Sequence, residues 1–393
     1  MKSNYEPLGK HIRLVDYRNS EEVTSTVLGI SIDKEFMPSV ANVIGTDLSR
    51  YKLISKGLFA CNPMHVGRDE RLPIALYEKD NAAIVSPAYF IFEIIDRDVL
   101  NEEYLMMWFR RPEFDRECWF MTDGSVRGGI TWDDLCRIKL PVPSYARQCE
   151  IVESYRAITK RIALKRTEND NLAAQCSCVM YDQYRSDAQN GNPWTKYTVQ
   201  DLIDKKYIDP PMDGNHGELH PKASDYVATG IPFVMANNLS DGFVDLSQCA
   251  FITEKQAKTL RKGFARPDDV LLTHKATLGR TAIVPEGYEY IILTPQVTYY
   301  RVHKGLSNVY LHYYFESSYF QSTLEAFAGG GSTRAYIGIT KQCGLPVYLP
   351  CESSMNILTY SLSQIERVRL LNQTEIQQLI DARNTLITQL SSR

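Results

Sequence analysis

Few residues of this chain have the types and spacing that enzyme chemistry requires. His216 and His220 occur in HGELH, which has the histidine spacing of a zinc-protease helix but not its glutamate position. The neighbouring Gly214 and Gly217 and the preceding IDPPMDG predict a loop here instead of a helix. The pair of histidines therefore favours an ordinary loop over a metal site.

Other motifs also fall short of catalytic patterns. The run GGGST at 329–333 lacks the GK[ST] ending of a phosphate-binding loop, and DPPM at 209–212 lacks the aromatic residue of the methyltransferase motif (N/D)PP(Y/F). No GxSxG occurs, and no cysteine stands in a recognisable nucleophile motif. Since no nucleophile, base and orienting group can be assembled, we predict no catalytic residues, metal or cofactor in this chain.

Two arginines do recur in similar loops rich in glycine and serine. Arg127 in GSVRGGI and Arg334 in GSTRAYI lie 207 residues apart, and the isoleucine and proline that follow each of them keep this offset. Two further pairs of stretches match at offsets of 208 and 206: 84–94 with 292–302, and 103–109 with 309–315. The period is far longer than the roughly 20–50 residues of a solenoid, so it indicates a duplicated domain.

The segment that follows each copy predicts a long helix. No proline or glycine occurs from 144 to 189 or from 353 to 390, and apolar residues recur every three or four positions. Lys165 and Asn169 interrupt the first stripe with polar side chains. The residues expected to pair the helices are Ile151, Tyr155, Ile158, Ile162, Leu172, Ile365, Val368, Ile376, Leu379 and Leu386. The alternative is that each helix packs only on its own domain.

These elements predict an α+β chain with two duplicated mixed α/β domains. A pair of long antiparallel helices in a coiled coil, roughly 50–60 Å long, separates the domains and gives the molecule a pseudo-twofold arrangement. The expected boundaries are 1–143 and 191–350 for the domains, and 144–190 and 351–393 for the helices.

Composition agrees with a two-domain cytoplasmic protein. The chain has 393 residues, of which 44% are hydrophobic and 23% charged. Its net charge of −3 counts weakly against a polyanionic partner, although one basic face can coexist with an acidic remainder. The nine cysteines form no CxxC pair, the N-terminus has no signal-peptide pattern, and no stretch is apolar enough to span a membrane.

Several motifs together resemble the specificity subunit of type I restriction–modification systems. They are GIPFVMANNLSDG at 230–242, ARPDDVLLT at 265–273, LGRTAIV at 278–284, the stretch 57–93 around VSPAYFIFE, and LPVPSYARQCEIV at 140–152. Their order is that of the family, a recognition domain and a helix, each twice. Asp268 stands where the family usually has glycine, and Met355 replaces the junction glutamine that Gln148 supplies in the first copy.

The resemblance implies a non-catalytic subunit that recognises a bipartite, asymmetric site in double-stranded DNA through two target-recognition domains. It further implies two modification subunits as partners, which carry S-adenosylmethionine and methylate an adenine, and a restriction–translocase subunit as a further partner. Such a protein serves phage defence and DNA methylation, and it needs no membrane.

The resemblance makes basic residues in turns and strand ends candidates for DNA contact, since arginine suits guanine edges and lysine suits phosphates. The loop candidates are Ser125, Arg127, Ser332, Thr333 and Arg334. Arg68 and Arg280 follow turn glycines, Lys275 and His274 end a strand, and Lys255, Lys258, Arg261 and Lys262 lie along one predicted helix. For each of these groups a solvated surface position is the alternative.

Three other functions remain open at this point. The chain could serve a single-chain methyltransferase–nuclease as its specificity module. It could instead be a coiled-coil interaction protein whose duplicated domains bind peptides or glycans, in which case DNA binding would show no steep salt dependence. An unrecognised hydrolase is the weakest alternative, because no catalytic set is present.

Overall fold

The computed structural model describes residues 5–40, 45–64, 66–122, 128–329 and 336–390 of the chain. It divides into two compact units: Met1–Leu164 with Glu375–Arg393, and Lys165–Thr374. Each unit therefore contains one globular copy of the sequence repeat, the adjoining half of one long helix and half of the other. None of the helices in the described ranges has the length and apolar content to cross a membrane.

The first copy consists of short strands followed by three helices and a returning strand. Its elements are β1 (Tyr5–Pro7), β2 (Ile12–Leu14), β3 (Leu28–Ile30), β4 (Phe36–Pro38), β5 (Lys52–Ile54), β6 (Phe59–Cys61), α1 (Val66–Asp69), β7 (Ile74–Leu76), β8 (Ala83–Val85), β9 (Phe90–Ile94), α2 (Glu102–Phe109), α3 (Pro112–Phe120), α4 (Trp132–Arg137) and β10 (Lys139–Pro141). The long helix α5 (Tyr145–Gln189) follows.

The second copy repeats this order with insertions. Its elements are β11 (Thr195–Thr198), α6 (Val199–Asp204), β12 (Met212–Asp213), β13 (Ile231–Val234), β14 (Leu239–Ser240), β15 (Phe243–Val244), β16 (Ala250–Ile252), α7 (Glu254–Ala257), β17 (Phe264–Ala265), β18 (Val270–Lys275), β19 (Thr277–Ile283), β20 (Ile291–Leu293), β21 (Val297–Tyr300), α8 (Asn308–Glu316), α9 (Ser318–Ala328), α10 (Ile339–Gln342) and β22 (Pro346–Leu349). The second long helix is α11 (Glu352–Gln389).

Strand pairing shows that the two copies share one topology. The main sheet has the antiparallel order β2-β9-β6-β7 in the first copy and β12-β21-β18-β19 in the second. A smaller group of strands repeats as well. In the first copy β5 pairs antiparallel with β8, and Val27 forms a parallel bridge with Ile84 of β8. In the second copy β17 pairs antiparallel with β20, and β13 pairs parallel with β20. The predicted two-domain α+β architecture and its duplication are thus confirmed.

The helix after the main sheet packs on it in the same way in both copies. In the first copy the ring of Phe92 on β9 packs on Phe109 of α2, with centroids 6.3 Å apart. In the second copy Tyr300 on β21 packs on Phe315 of α8 at 5.0 Å. These rings are fully buried, so the alternating apolar residues of the strands and the apolar face of the helix form one core.

The two long helices run antiparallel to each other within each unit. In the first unit Val152 from the start of α5 shares a core with Ile387 near the end of α11 and with Leu390 just after it. In the second unit Cys176 and Met180 from the later part of α5 pack in one core with Met355, Leu358 and Leu362 from the start of α11. The predicted helix pair therefore forms, and it also packs on each globular core.

The polar residues that interrupt the apolar stripe of α5 form hydrogen bonds with residues of α11. The Lys165 ammonium donates to the Asn372 side-chain oxygen at 2.8 Å, and Asn372 donates to Asn169 at 3.0 Å. Asn169 in turn donates to the Arg369 carbonyl at 3.3 Å. Lys165 and Asn372 are 207 residues apart, the offset of the sequence repeat, so equivalent positions meet here.

One predicted pairing residue is wrong. Val368 is 40% exposed, whereas Glu366 and Arg369 beside it are buried. The buried face of α11 at this height is occupied by the Glu366–Arg369 ion pair, whose charged groups meet at 3.1 Å. The spacing of apolar residues predicts that Val368 is buried, because such a pattern contains no information about a buried pair of charges.

The two junctions between globular copy and helix differ as their sequences do. The Gln148 side chain is fully buried; it accepts from the Asn101 amide at 2.9 Å and donates to the carbonyls of Val99 and Pro143 at 2.9 and 2.8 Å. At the corresponding place Met355 packs into the apolar core of the second unit. The three hydrogen bonds of Gln148 at the first junction are thus replaced by the apolar packing of Met355 at the second.

Candidate nucleic-acid interface

The loop candidates Ser125, Arg127, Ser332, Thr333 and Arg334 lie outside the described residues, so their role stays a prediction. The remaining candidates are distributed over three places: α1 in the first unit, the β18–β19 hairpin, and the segment after β16 in the second unit.

Arg68 lies on α1 with its side chain 55% exposed. Its guanidinium donates two hydrogen bonds to the Asp69 carboxylate, at 2.7 and 2.9 Å. This hydrogen bonding raises the pKa of Arg68 above its usual value. The side chain remains accessible to a ligand, but a contact with phosphate has to compete with Asp69.

Arg280 has a partner for its guanidinium within its own unit. It lies on β19, and its guanidinium donates to the Leu239 carbonyl at 3.0 Å. The same side chain lines a cleft of about 380 Å³ together with Glu316 and Gln321. Arg280 is exposed, so a contact with DNA would compete with its bond to the Leu239 carbonyl, and its role stays a prediction.

The predicted basic helix is wrong in length. α7 spans only Glu254–Ala257, so Arg261 and Lys262 lie beyond its end, while Lys255 is exposed and Lys258 forms a 2.7 Å ion pair with Glu254. The chain leaves the helix because Leu260 enters an apolar core and Gly263 adopts a positive φ of 86°. These tertiary demands override the local helical pattern.

Lys262 and His216 are held by one buried carboxylate. Asp213, the last residue of β12, is 4% exposed. The Lys262 ammonium donates to one of its oxygens, and the His216 ring nitrogen lies 2.9 Å from the other. Burial alone would raise the pKa of Asp213, but the bonds from Lys262 and His216 outweigh burial and lower it. The carboxylate therefore stays ionised and fixes both basic groups.

The backbone around Asp213 is closely packed and hydrogen-bonded. The Asn215 side chain donates to the Lys262 carbonyl at 2.6 Å and accepts from the Arg261 amide at 3.0 Å. A Cβ at Gly214 would lie 1.9 Å from the Leu293 carbonyl oxygen, so only glycine fits there. The two segments are thus fastened together, and Lys262 has a defined position.

A second pair of basic residues lies at the end of β18. The Lys275 ammonium is 5.8 Å from the centroid of the Tyr336 ring, which is 49% exposed, and the two residues form a β-bridge. His274 is fully buried; its Nδ1 lies 3.0 Å from the Ile337 carbonyl oxygen, and its Nε2 has no partner among the described residues. Burial lowers the pKa of His274, so this ring is neutral near pH 7.

These two places are neighbours, because β12 and β18 both pair with β21: Asp213 and Leu272 each lie opposite Thr298, and His274 follows Leu272 by two residues. We call His216, Lys262, His274 and Lys275 the basic cluster. His216 and Lys262 are partly exposed, so with Lys275 they can donate to phosphate oxygens or base edges. Both lysines and His274 can be predicted from the sequence, whereas Asp213 and Tyr336 cannot, because their partners are remote in the sequence.

The HGELH segment forms a loop, as predicted, with a single short turn at Gly217–Leu219. His216 bonds to Asp213, while His220 packs beside the Phe233 ring at 5.5 Å. Within the described ranges, no group of three or more His, Cys, Asp or Glu side chains could hold a metal ion.

No protein-family model and no curated protein sequence matches the chain. Solved structures match it over nearly its full length. The S subunit of a type I restriction–modification system from M. genitalium is 12% identical with a TM-score of 0.53, over 99% of this chain and 96% of that one. The HsdS subunit from Thermoanaerobacter tengcongensis is 16% identical with a TM-score of 0.39, over 98% and 95%. A chain from work on complex assembly and conformational transition of the type I R-M system is 18% identical with a TM-score of 0.43, over 98% and 96%.

The similarity to the M. genitalium subunit shows a shared fold. The match extends over both globular copies and both long helices, so this chain has the same architecture as that S subunit. At this level of identity the residues that contact a ligand do not transfer from one chain to the other.

Proposed function

We propose that this protein is the DNA-recognition subunit of a type I restriction–modification system. The observation that carries the proposal is the duplication: two copies with one strand order and one helix order, joined by two paired helices, within a fold shared with a known S subunit. Two similar recognition domains in one chain suit a target that has two parts.

The basic cluster is the proposed DNA contact of the second unit. Lys262 and His216 are positioned by Asp213, and Lys275 lies beside the exposed ring of Tyr336. Positioned lysines contact phosphates and set the register of a protein on the duplex. In the first unit Arg68, and in both units the loop residues Arg127 and Arg334, are the proposed contacts that recognise bases.

Two modification subunits that bind S-adenosylmethionine are the proposed partners, and the adenine methylation belongs to them. The paired helices are proposed to set the separation of the two half-sites, since α5 and α11 continue without a break through the polar contact of Lys165 with Asn372.

A selection from random DNA tests the proposal. Purified chain is mixed with its modification subunits and a pool of random duplexes, and the bound DNA is sequenced after several rounds. We expect one enriched motif with two defined parts and an undefined spacer, and binding that weakens steeply as salt rises. An unenriched pool with binding insensitive to salt would favour the coiled-coil interaction protein instead.

A further inference from the structure

The second unit contains an open cavity of about 650 Å³ lined mainly by aromatic rings. The rings come from Tyr181, Tyr184, Trp194, Tyr313, Tyr314, Tyr319 and Tyr348. Tyr181, Tyr184 and Tyr319 are 59%, 46% and 50% exposed, so the cavity is open to solvent. Exposed tyrosines at this density, beside a half-buried tryptophan, are typical of a place where a protein binds another molecule.

Glu316 is the charged residue among the described residues that line this cavity. Burial raises the pKa of Glu316 to about 7, despite the opposing effect of Arg369. That guanidinium is already shared, since it pairs with Glu366 at 3.1 Å and donates to the Asp241 carbonyl at 2.8 Å. The nearby His312 contributes no positive charge, because burial lowers its pKa to about 3. Above about pH 7 the Glu316 carboxyl is therefore mainly ionised, and it supplies the negative charge of this cavity wall.

The first copy shows what occupies the equivalent place there. The correspondence is fixed by two matching hydrogen bonds, from the Tyr104 hydroxyl to the Pro141 carbonyl and from the Tyr310 hydroxyl to the Tyr348 carbonyl. At the resulting offset of 206, Trp108 corresponds to Tyr314 and Arg111 to Ser317.

In the first unit the chain supplies its own cation at this place. Arg111 is 3% exposed, and its guanidinium lies 3.9 Å from the centroid of the Trp108 ring, with the Glu113 carboxylate at 3.4 Å. In the second unit Ser317 has no charge, and both Ser317 and Tyr314 line the open cavity. The junction thus accommodates a guanidinium on an aromatic face in one copy and leaves that space open in the other.

We propose that this cavity binds the guanidinium of an arginine side chain presented by a partner protein. A guanidinium is planar and weakly hydrated, so it stacks on tyrosine and tryptophan faces while donating to a carboxylate. Glu316 is the proposed acceptor, and the neighbouring rings of Trp194 and Tyr313 provide stacking surfaces. The proposal is independent of DNA recognition, because none of these residues belongs to the basic cluster.

The test uses the full chain and two small probes at pH 8, where the Glu316 carboxyl is mainly ionised. Nα-acetylarginine methylamide carries the guanidinium, and Nα-acetylcitrulline methylamide is its neutral counterpart of nearly the same shape. Isothermal titration calorimetry is expected to show saturable binding of the arginine probe and roughly tenfold weaker binding of the citrulline probe.

Three variants locate the binding. Glu316→Gln is expected to weaken the arginine probe roughly tenfold, and Ser317→Arg to abolish binding by placing the chain's own guanidinium in the cavity, as Arg111 does. Glu325→Gln removes an exposed acid on α9 and should bind like the unaltered chain. Glu316→Gln keeps the residue's shape and removes a buried charge, so it remains informative if Ser317→Arg does not fold.

Two results would overturn the proposal. One is equal binding of the arginine and citrulline probes by the unaltered chain, including no binding of either. The other is unchanged binding of the arginine probe by folded Glu316→Gln. Circular dichroism and urea midpoints establish that each variant is folded before it is titrated.

Discussion

Lys262 offers a direct test of the basic cluster, because the structure gives it one defined partner. Its ammonium is bonded to the buried Asp213 carboxylate, which also binds His216. Lys262→Met removes the cation and leaves this carboxylate with His216 alone. We expect weaker binding to every DNA sequence, since a phosphate contact carries no base preference.

The magnitude follows from counting charges. One phosphate contact contributes roughly 0.9 to the slope of log K against log salt. When salt rises from about 50 to about 200 mM, the affinity of both proteins falls. The factor by which it falls should be roughly 3.5 times smaller for the variant than for the unaltered chain. Asp213→Asn in the Lys262→Met background removes the stranded carboxylate, so it should recover part of the affinity at low salt but not the slope.

Fluorescence anisotropy with a labelled duplex measures both quantities, and Lys258→Met serves as the control. Lys258 lies four residues earlier, and its ammonium is paired with Glu254 on the surface. If Lys262→Met kept the affinity and the salt slope of the unaltered chain, Lys262 would have no phosphate contact. The assignment of the basic cluster to DNA would then be wrong.

Three further predictions concern stability and spacing. Arg369→Met leaves Glu366 buried without its cation and should lower the free energy of unfolding by roughly 3–5 kcal/mol in urea titrations, whereas the exposed Arg367→Met should change it little; equal effects would contradict the buried pair. The folded-state pKa of Glu316 is about 7 instead of its ordinary 4.5. Stability should therefore fall as pH rises from about 4.5 to about 7, by roughly 3 kcal/mol relative to Glu316→Gln; parallel pH curves for the two proteins would refute this. Four residues inserted into each of α5 and α11 beside the Lys165–Asn372 contact lengthen each helix by about 6 Å and should lengthen the spacer of the selected DNA by about two base pairs; altered half-site sequences with an unchanged spacer would refute the role of the helices.

The fold could be predicted from the sequence to the extent that its signals were local or repeated. Runs without proline or glycine predicted α5 and α11, and the offset of about 207 residues predicted two copies of one topology. Motif order predicted the type of architecture. Such signals need only the spacing of residues along the chain, and the structure confirms them.

The site was less accessible, because its contacts join remote residues. Asp213 and Lys262 are 49 positions apart, and the sequence around either residue does not predict the contact. The helix at 254–257 ends earlier than predicted, because packing fixes Leu260 and Gly263. On α11 the prediction named Val368, whereas the buried residue is Arg369. The repeated loops with Arg127 and Arg334 remain predictions. Non-local pairing of charges is the information that one sequence does not carry.

The central claim is that two similar domains of one chain recognise the two parts of a single DNA target. The most direct measurement is methylome sequencing of the host with and without the gene for this chain. The account predicts that deletion removes methylation from one motif with two parts and an undefined spacer, and from no other. An unchanged methylome, or loss of methylation from a continuous motif alone, would contradict it.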